Sequence, residues 1–444
     1  MSMDRRQFVG SAVASVFTLP LGASAQPAPN ADGMKVLVAK AGTLNLPGAG
    51  ADLKAIGYDG QIPGPLLRYK KGEEVKIRLT NQLDKPTAIH WQGVRNANAF
   101  DGVPGLTQQP VSPGMSFDYR FTPPDSGLFM YRPVSFAGAQ EQVERGLYGL
   151  LIVDEAEPPQ VDKDMVVLLD DWFLDDKGAV SSALPRAAGA KSVLTVTSQM
   201  VPRVEVLQPG ARVRLRLASV AQARAMVVSF VGVKPFICAI DGQPCDPFEP
   251  VRQTIPMGPG SRFDLQLDLP MEKGAVVSLV LRGEPDTMLV TFKTEGEPKA
   301  ARGPIVTLGL NPALPPAIKL QEAKKLDLVL DGAGEVAKGL MIGMTKAAGL
   351  GDKPLFTVKR GTGVSMGFTN KLSLHTQFHV HGHHMRLLHD MDDGWEPYWR
   401  DSVLVPATRT KRVAFLADNP GKWAISCQVL GGAGAEFVTW FEVV

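Results

Sequence analysis

Three times along the 444-residue chain, a glycine turn leads into a stretch with apolar residues at every second place. The first is Gly72-Glu73-Glu74-Val75-Lys76-Ile77-Arg78-Leu79-Thr80-Asn81. The second is Gly210-Ala211-Arg212-Val213-Arg214-Leu215-Arg216-Leu217-Ala218-Ser219, and the third Gly361-Thr362-Gly363-Val364-Ser365-Met366-Gly367-Phe368-Thr369-Asn370. An apolar period of two marks a strand with one face in a core. A second segment recurs further on in each unit: Pro113-Gly114-Met115-Ser116-Phe117-Asp118-Tyr119, Pro259-Gly260-Ser261-Arg262-Phe263-Asp264-Leu265, and more loosely Pro406 to Phe415. A strand pattern that returns at such long intervals points to a repeated, domain-sized unit. Helical periodicity is weak throughout, and the 45 Gly and 35 Pro supply turns. The chain is therefore expected to be all-β, three consecutive Greek-key sandwich or barrel domains. Linkers fit at Asp154 to Asp162 and at the proline-rich Glu297 to Pro316, which places the units at 26–157, 158–300 and 301–444.

Residues 1–25 read as an export signal. Arg5-Arg6 precede an apolar run from Phe8 to Leu21, and Ala23-Ser24-Ala25 offers small residues for cleavage. Paired arginines point to the twin-arginine route, which delivers folded proteins to the periplasm. No other segment has the length and hydropathy of a membrane span, so no integral membrane segment is expected after signal removal. A formal charge of +2 argues against nucleic acid or an anionic membrane as partner. Lys70-Lys71 and the alternating Arg212, Arg214 and Arg216 read as solvated strand faces. Three cysteines allow one disulfide. Cys238 and Cys245 flank the turn signal Asp241-Gly242 and either bridge across a hairpin or serve as small buried hydrophobes; Cys427 has no partner in either case.

Six of the seven histidines fall between His375 and His389, and the seventh is His90. The repeat aligns them. His90 lies nine residues beyond Asn81 and His379 nine beyond Asn370, whereas the matching place after Ser219 is Val228. Two steps on, the same face carries Gln92, Phe230 and His381. If the first and third units pack with pseudo-symmetry, His90 and His379 meet across their interface.

Several segments resemble the multicopper oxidase family: Gly60-Gln61-Ile62-Pro63-Gly64-Pro65, His90-Trp91-Gln92-Gly93, Phe100 to Gly105, Glu144 to Gly149, Phe378 to His384, Gly421-Lys422-Trp423 through Cys427, and Trp440-Phe441-Glu442-Val443. The resemblance spans essentially the whole mature chain and implies three cupredoxin-like domains. It also implies a mononuclear copper, held by a cysteine and histidines, feeding electrons to a three-copper cluster held by four His-x-His pairs. Here the first pair reads His90-Trp91-Gln92, and the second falls on Arg132-Pro133-Val134. The third, His379-Val380-His381, is intact, and the fourth reads Ser426-Cys427-Gln428. At the mononuclear site Cys427 is kept, but Thr376, Gly432 and Phe437 stand in the other ligand places, with His375 one residue out of phase. Asp101 matches a carboxylate that orients water at the copper, and Gly431 replaces an acidic proton donor. His383, His384 and His389 match packing positions.

The surviving set, His90, His379 and His381 with Asp101 beside them and Cys427 apart, implies at most about one copper. The His90/His379 pair is either a hydrogen-bonded relic or a weak copper or zinc site. No phosphate loop, His-Glu-x-x-His motif or serine elbow appears. The methionines Met341/Met344 and Met385/Met391 read as apolar filler. The expected function is non-catalytic: an exported pseudo-oxidase that binds a partner or supports an assembly, as copper-free family members do in cell division under stress. The alternative is a laccase-like oxidase of phenols or metal ions with an altered site, and a one-metal enzyme at His90, His379 and His381 is a third. The partner is accordingly an unknown periplasmic protein or a small aromatic or metal substrate.

Overall fold

The computed structural model describes residues 33–444 apart from 47–52, 176–179, 181–190, 312, 331–344, 347–349, 390–393 and 432–435. The export signal, Gly432, Met341, Met344 and Met391 lie outside the described residues. Among the described residues no helix is long and apolar enough to cross a membrane. The described residues hold one α-helix, the short Ala139–Glu144; the rest of them is strand, turn and two 3-10 segments.

The described strands form six sheets in three pairs. Strands 35–44, 53–58, 75–81 and 116–121 form the first, and strands 67–70, 90–92, 127–132 and 149–154 its partner. A seven-stranded and a five-stranded sheet follow between 163 and 294, then a four-stranded and a six-stranded sheet from 324 to 443. Each pair encloses its own apolar core. No strand occurs in 155–162, nor among the described residues of 295–323.

The sequence repeat is a repeat of hydrogen bonding. In each pair the Gly-turn strand has a parallel neighbour on one side: 35–39 beside 77–81, 163–169 beside 213–219, and 324–330 beside 364–370. On its other side lies the second recurring segment, antiparallel: 116–121, 262–268 and 410–417. At the end of this strand the first and third units share a buried asparagine. Asn81 donates through Nδ2 to Lys85 O and Val111 O and accepts from Leu83 N. Asn370 donates to Leu374 O and Val405 O and accepts from Leu372 N. Buried amides need all their partners, so each asparagine fixes the next four residues, and both chains reach the following strand in the same phase.

The arginine alternation is not a solvated face. Arg214 and Arg216 are buried, 1% and 0% exposed. Arg214 Nη2 lies 2.6 Å from Asp264 Oδ2 and also binds Glu155; Arg216 Nε lies 2.9 Å from Asp164 Oδ1, and Arg212 Nε 2.7 Å from Asp268 Oδ1. Their charge is met by neighbouring strands and by the segment after Asp154, so the face is polar and dry. Lys70 and Lys71 are exposed, as expected. Cys238 and Cys245 are free, buried thiols. The strand register shifts between Ile237 and Ala239, so Cys238 sits on the irregularity rather than opposite a partner. Burial pushes both thiols up to about 12.

Candidate metal centre

His90 opens strand 90–92, and His379 lies in strand 376–380, with His381 just beyond it. The equal offsets from Asn81 and Asn370 bring the two strands face to face: His90 Nε2 is 3.1 Å from His379 Nε2. His381 lies tilted beside them, its ring centroid 4.0 Å from that of His90 and 4.6 Å from that of His379. One ligand atom from each of the three lies within 4.8 Å of the others, and all three residues are buried.

Hydrogen-bond partners assign the tautomers. His90 Nδ1 is 2.8 Å from Asp101 O and His379 Nδ1 is 3.0 Å from Asp401 O. Carbonyl oxygens only accept, so both Nδ1 atoms carry hydrogen. His381 Nδ1 is 2.9 Å from Asp101 Oδ2, a carboxylate that also accepts. In the neutral ring each Nε2 is then a lone pair, that of His381 with Ser426 Oγ 3.4 Å away. Burial lowers the His379 pKa and, helped by His90, brings His381 down to about 3, so these two rings are neutral at pH 7. Burial alone would raise Asp101, but His381 and His90 hold it well below the carboxylate range, and it stays an anion. Lone pairs thus converge on one spot with anchored rings behind them, the arrangement that holds a cation. Two nitrogens on one tetrahedral zinc, at 2.0–2.1 Å each, would be separated by about 3.3 Å, close to the spacing present.

Gly102 sets this geometry. It has φ +80°, and a Cβ there would stand 1.7 Å from Ile89 O, beside His90 N. Only glycine lets the Asp101 turn press against the His90 strand.

The remaining cluster positions do not suit a set of copper ions. Arg132, the cross-strand neighbour of His90, is buried, and its Nε donates to Gln92 Oε1 at 2.9 Å. Burial lowers its pKa to about 10, against the pull of Glu436, so it is a resident cation at pH 7. Ser426 faces His379 across the strands, and Gln428 bonds Gln222. The void between Arg132, Gln377, His379, Ser426 and Glu436 is about 20 Å3, room for a single water.

Cys427 belongs to the third apolar core, away from the triad. Its thiol is pushed well up, by burial first and by Glu436, and its antiparallel neighbour is Phe437. Thr376 is buried in the strand, while His375 is exposed and its Nδ1 accepts from Ala407 N at 3.0 Å. The thiol bonds the Thr376 hydroxyl where the resemblance places an imidazole, and a buried thiol in that company makes a poor copper–thiolate site. His383 packs its ring on Phe415, Trp423 and Phe441; His384 bonds Gln243 and Asp241 O; His389 is exposed. Asp401 was not found by sequence reasoning. It plays for His379 the part Asp101 plays for His90, but it lies 22 residues beyond its histidine and Asp101 only 11 beyond His90, so no shared spacing marks it.

The buried rings also carry a pH dependence. Burial first brings His383 down to about 4, whereas an unfolded histidine titrates near 6.5. Between those values the unfolded chain binds the extra proton, so this contribution to stability is complete above about 6.5 and is lost as pH falls. His383→Phe keeps the aromatic packing and removes the titration. Its stability relative to the parent should improve as pH drops from about 6.5 to 4, by up to about 1.4 kcal/mol per unit, measured by urea unfolding at several pH values. A constant difference would show that the ring does not titrate there.

The chain is similar to known proteins over most of its length. Multicopper oxidase domain models match residues 42–158 and 324–444. Multicopper oxidase MmcO of Mycobacterium tuberculosis is 26% identical over 489 aligned positions, spanning 96% of this chain and 93% of that protein. Copper resistance protein A of Pseudomonas syringae pv. tomato is 36% identical over 195 positions, covering 41% of this chain and 31% of the relative. Lac15 from a marine microbial metagenome is 32% identical with TM-score 0.75, covering 92% of this chain and 99% of that one. A multi-copper oxidase from Pseudomonas thermotolerans is 29% identical with TM-score 0.77, covering 92% and 98%.

Proposed function

The chain belongs to the multicopper oxidase family, and from that premise we propose that it is an exported, copper-poor member holding at most one ion and acting by binding rather than by oxygen reduction. One observation carries the reading: the Nε2 atoms of His90 and His379 face each other at 3.1 Å with both Nδ1 atoms committed to carbonyls. A cation between them, whether a shared proton or a metal ion, would satisfy both lone pairs, and the third converging imidazole, His381, suits the metal. This favours a metal site over a hydrogen-bonded relic. When bound, a divalent ion would supply a cross-link between the first and third units. His90, His379 and His381 would hold it, and Asp101 and Asp401 would orient the rings.

Four-copper chemistry lacks its residues. Arg132 puts a fixed positive charge and a guanidinium volume beside His90, where further cations would be repelled. Cys427 lacks the imidazoles that would draw an electron path to it. The purified protein, loaded with copper, should therefore show no intense absorbance near about 600 nm, the rough signature of a blue-copper thiolate. It should also consume no oxygen with a phenol. A strong blue band lost in Cys427→Ser, or turnover with a phenol, would favour the laccase-like alternative, which the names of the relatives also suggest. Fractionation that leaves the protein in the cytoplasm would remove the export part of the reading.

A further inference from the structure

Five apolar side chains that are 51–57% exposed, Val204, Val206, Val231, Val276 and Met288, stand on one sheet. It is the five-stranded sheet of the second unit, ordered 203–207, 287–294, 276–281, 226–231 and 254–257. Register puts the valines on one face. Val204 lies opposite Thr291, Thr291 opposite Ser278 and Ser278 opposite Val231; in the next row Val206 lies opposite Lys293 and Lys293 opposite Val276. The other face packs the second core through Val277, Leu279, Val290 and Phe292. Ser278 and Thr291 satisfy each other, hydroxyl to hydroxyl at 3.3 Å, which leaves Lys293 as the one charge in these two rows.

Strand 203–207 is the edge of this sheet. It runs parallel to 287–294, and no described strand lies beyond it. Leu207 O accepts from Glu295 N at 2.8 Å. Backbone groups alternate in direction along a strand, so those of Arg203, Glu205 and Leu207 turn to the neighbour and those of Val204 and Val206 turn outward. An outward row of amides and carbonyls is a template for another strand. Proline and charge commonly blunt such edges. Here Pro202 stops the row at its start, and the two residues whose amides point outward are valines.

We propose that a second copy of this chain docks on this edge, its strand 203–207 antiparallel to the first across a two-fold axis at Val204. A two-fold contact needs a self-complementary surface, and Arg203-Val204-Glu205 is one. Val204 faces the partner's Val204, and Arg203 faces the partner's Glu205 on both sides of the axis. Within its own chain Glu205 Oε1 lies 2.6 Å from Arg203 Nη2 and its Oε2 3.4 Å from Lys163 Nζ, so the joined strands carry charges that alternate in sign. An axis at Glu205 would set two carboxylates directly opposite, which is unfavourable. An axis between residues would oppose side chains of different faces. The two sheets become one, with the exposed valines side by side at the seam. The contact stands whether or not the triad holds a metal.

Sedimentation equilibrium of the purified protein tests this, and its mass should rise from one chain to two with concentration. Val204→Lys brings two ammonium groups together at the axis and should give a single chain at every concentration, with its melting within a few degrees of the parent's. Glu205→Arg sets arginine against arginine twice and should weaken the dimer by roughly tenfold or more. Adding Arg203→Glu to it exchanges the two charges and should restore the dimer. Val204→Cys should cross-link into a dimer under mild oxidation, because the axis joins the two thiols, while Val276→Cys should not; the native cysteines are buried. A parent that stays a single chain, a dimer untouched by Val204→Lys, a folded exchange variant no better than Glu205→Arg alone, or a Val204→Cys protein that does not cross-link would each overturn the assignment.

Discussion

Zinc or copper added to the chelator-stripped protein is expected to saturate at one ion per chain, and His90→Ala with His379→Ala to abolish that binding. The triad supplies three imidazoles whose outer nitrogens are tied to Asp101 and Asp401, so the rings need no reorganisation to accept an ion. Affinity gained this way appears as stability. At a hundredfold excess over Kd, a ligand that binds only the folded state adds about 2.7 kcal/mol. The parent's thermal midpoint should therefore climb with metal concentration while the double variant's stays flat. Metal-free, the variant should melt below the parent, because it loses two buried rings and leaves the Asp101 and Asp401 carbonyls without their imidazole donors. Removing His381 alone should weaken binding without abolishing it, since two converging nitrogens remain. Two or more tightly held ions in the parent would overturn the one-ion reading. Full stoichiometric binding in the double variant would place the site elsewhere.

The sequence foretold the pairing of His90 with His379 because its determinant is local and repeated. An apolar alternation fixes a strand, a terminal asparagine fixes the exit, and nine residues later the phase is set. What it could not show was the company those groups keep. The alternation at Arg212, Arg214 and Arg216 tells which residues share a face, yet solvent and a layer of carboxylates are the same to a period-two pattern. Asp264 and Glu155 lie 50 and 59 residues from Arg214 and announce nothing. Cys238 and Cys245 looked fit for a bridge because the turn between them is legible and the register shift is not. Asp401 escaped for a similar reason: its backbone carbonyl serves His379, and any residue type has one.

Arg262→Met should be among the most destabilising single substitutions, costing about 3–5 kcal/mol, as the breaking of a buried ion pair does. Arg262 is fully buried and joins all three units. Its Nε donates to Leu128 O at 3.0 Å in the first, Nη1 to Gly260 O at 2.6 Å in the second, and Nη2 to the Asp401 carboxylate in the third. Methionine fills the volume but strands two carbonyls and an anion. An exposed pair such as Arg282–Asp286 should cost about 0–1 kcal/mol when broken. Asp401→Asn should be damaging too, and less than additively with Arg262→Met, because the double variant removes the Asp401 charge together with its guanidinium partner and leaves only Asp241, 3.9 Å from Nη1 in the parent, to feel the loss; a coupling energy of about 1–3 kcal/mol is expected from the cycle. Urea unfolding of the four proteins measures it. The Asp401 carbonyl that fixes His379 sits on the same residue, so Arg262→Met should also weaken metal binding although Arg262 touches none of the three rings. Additive losses, or undisturbed affinity in a folded Arg262→Met protein, would mean that the arginine holds the units together without setting the geometry of the centre.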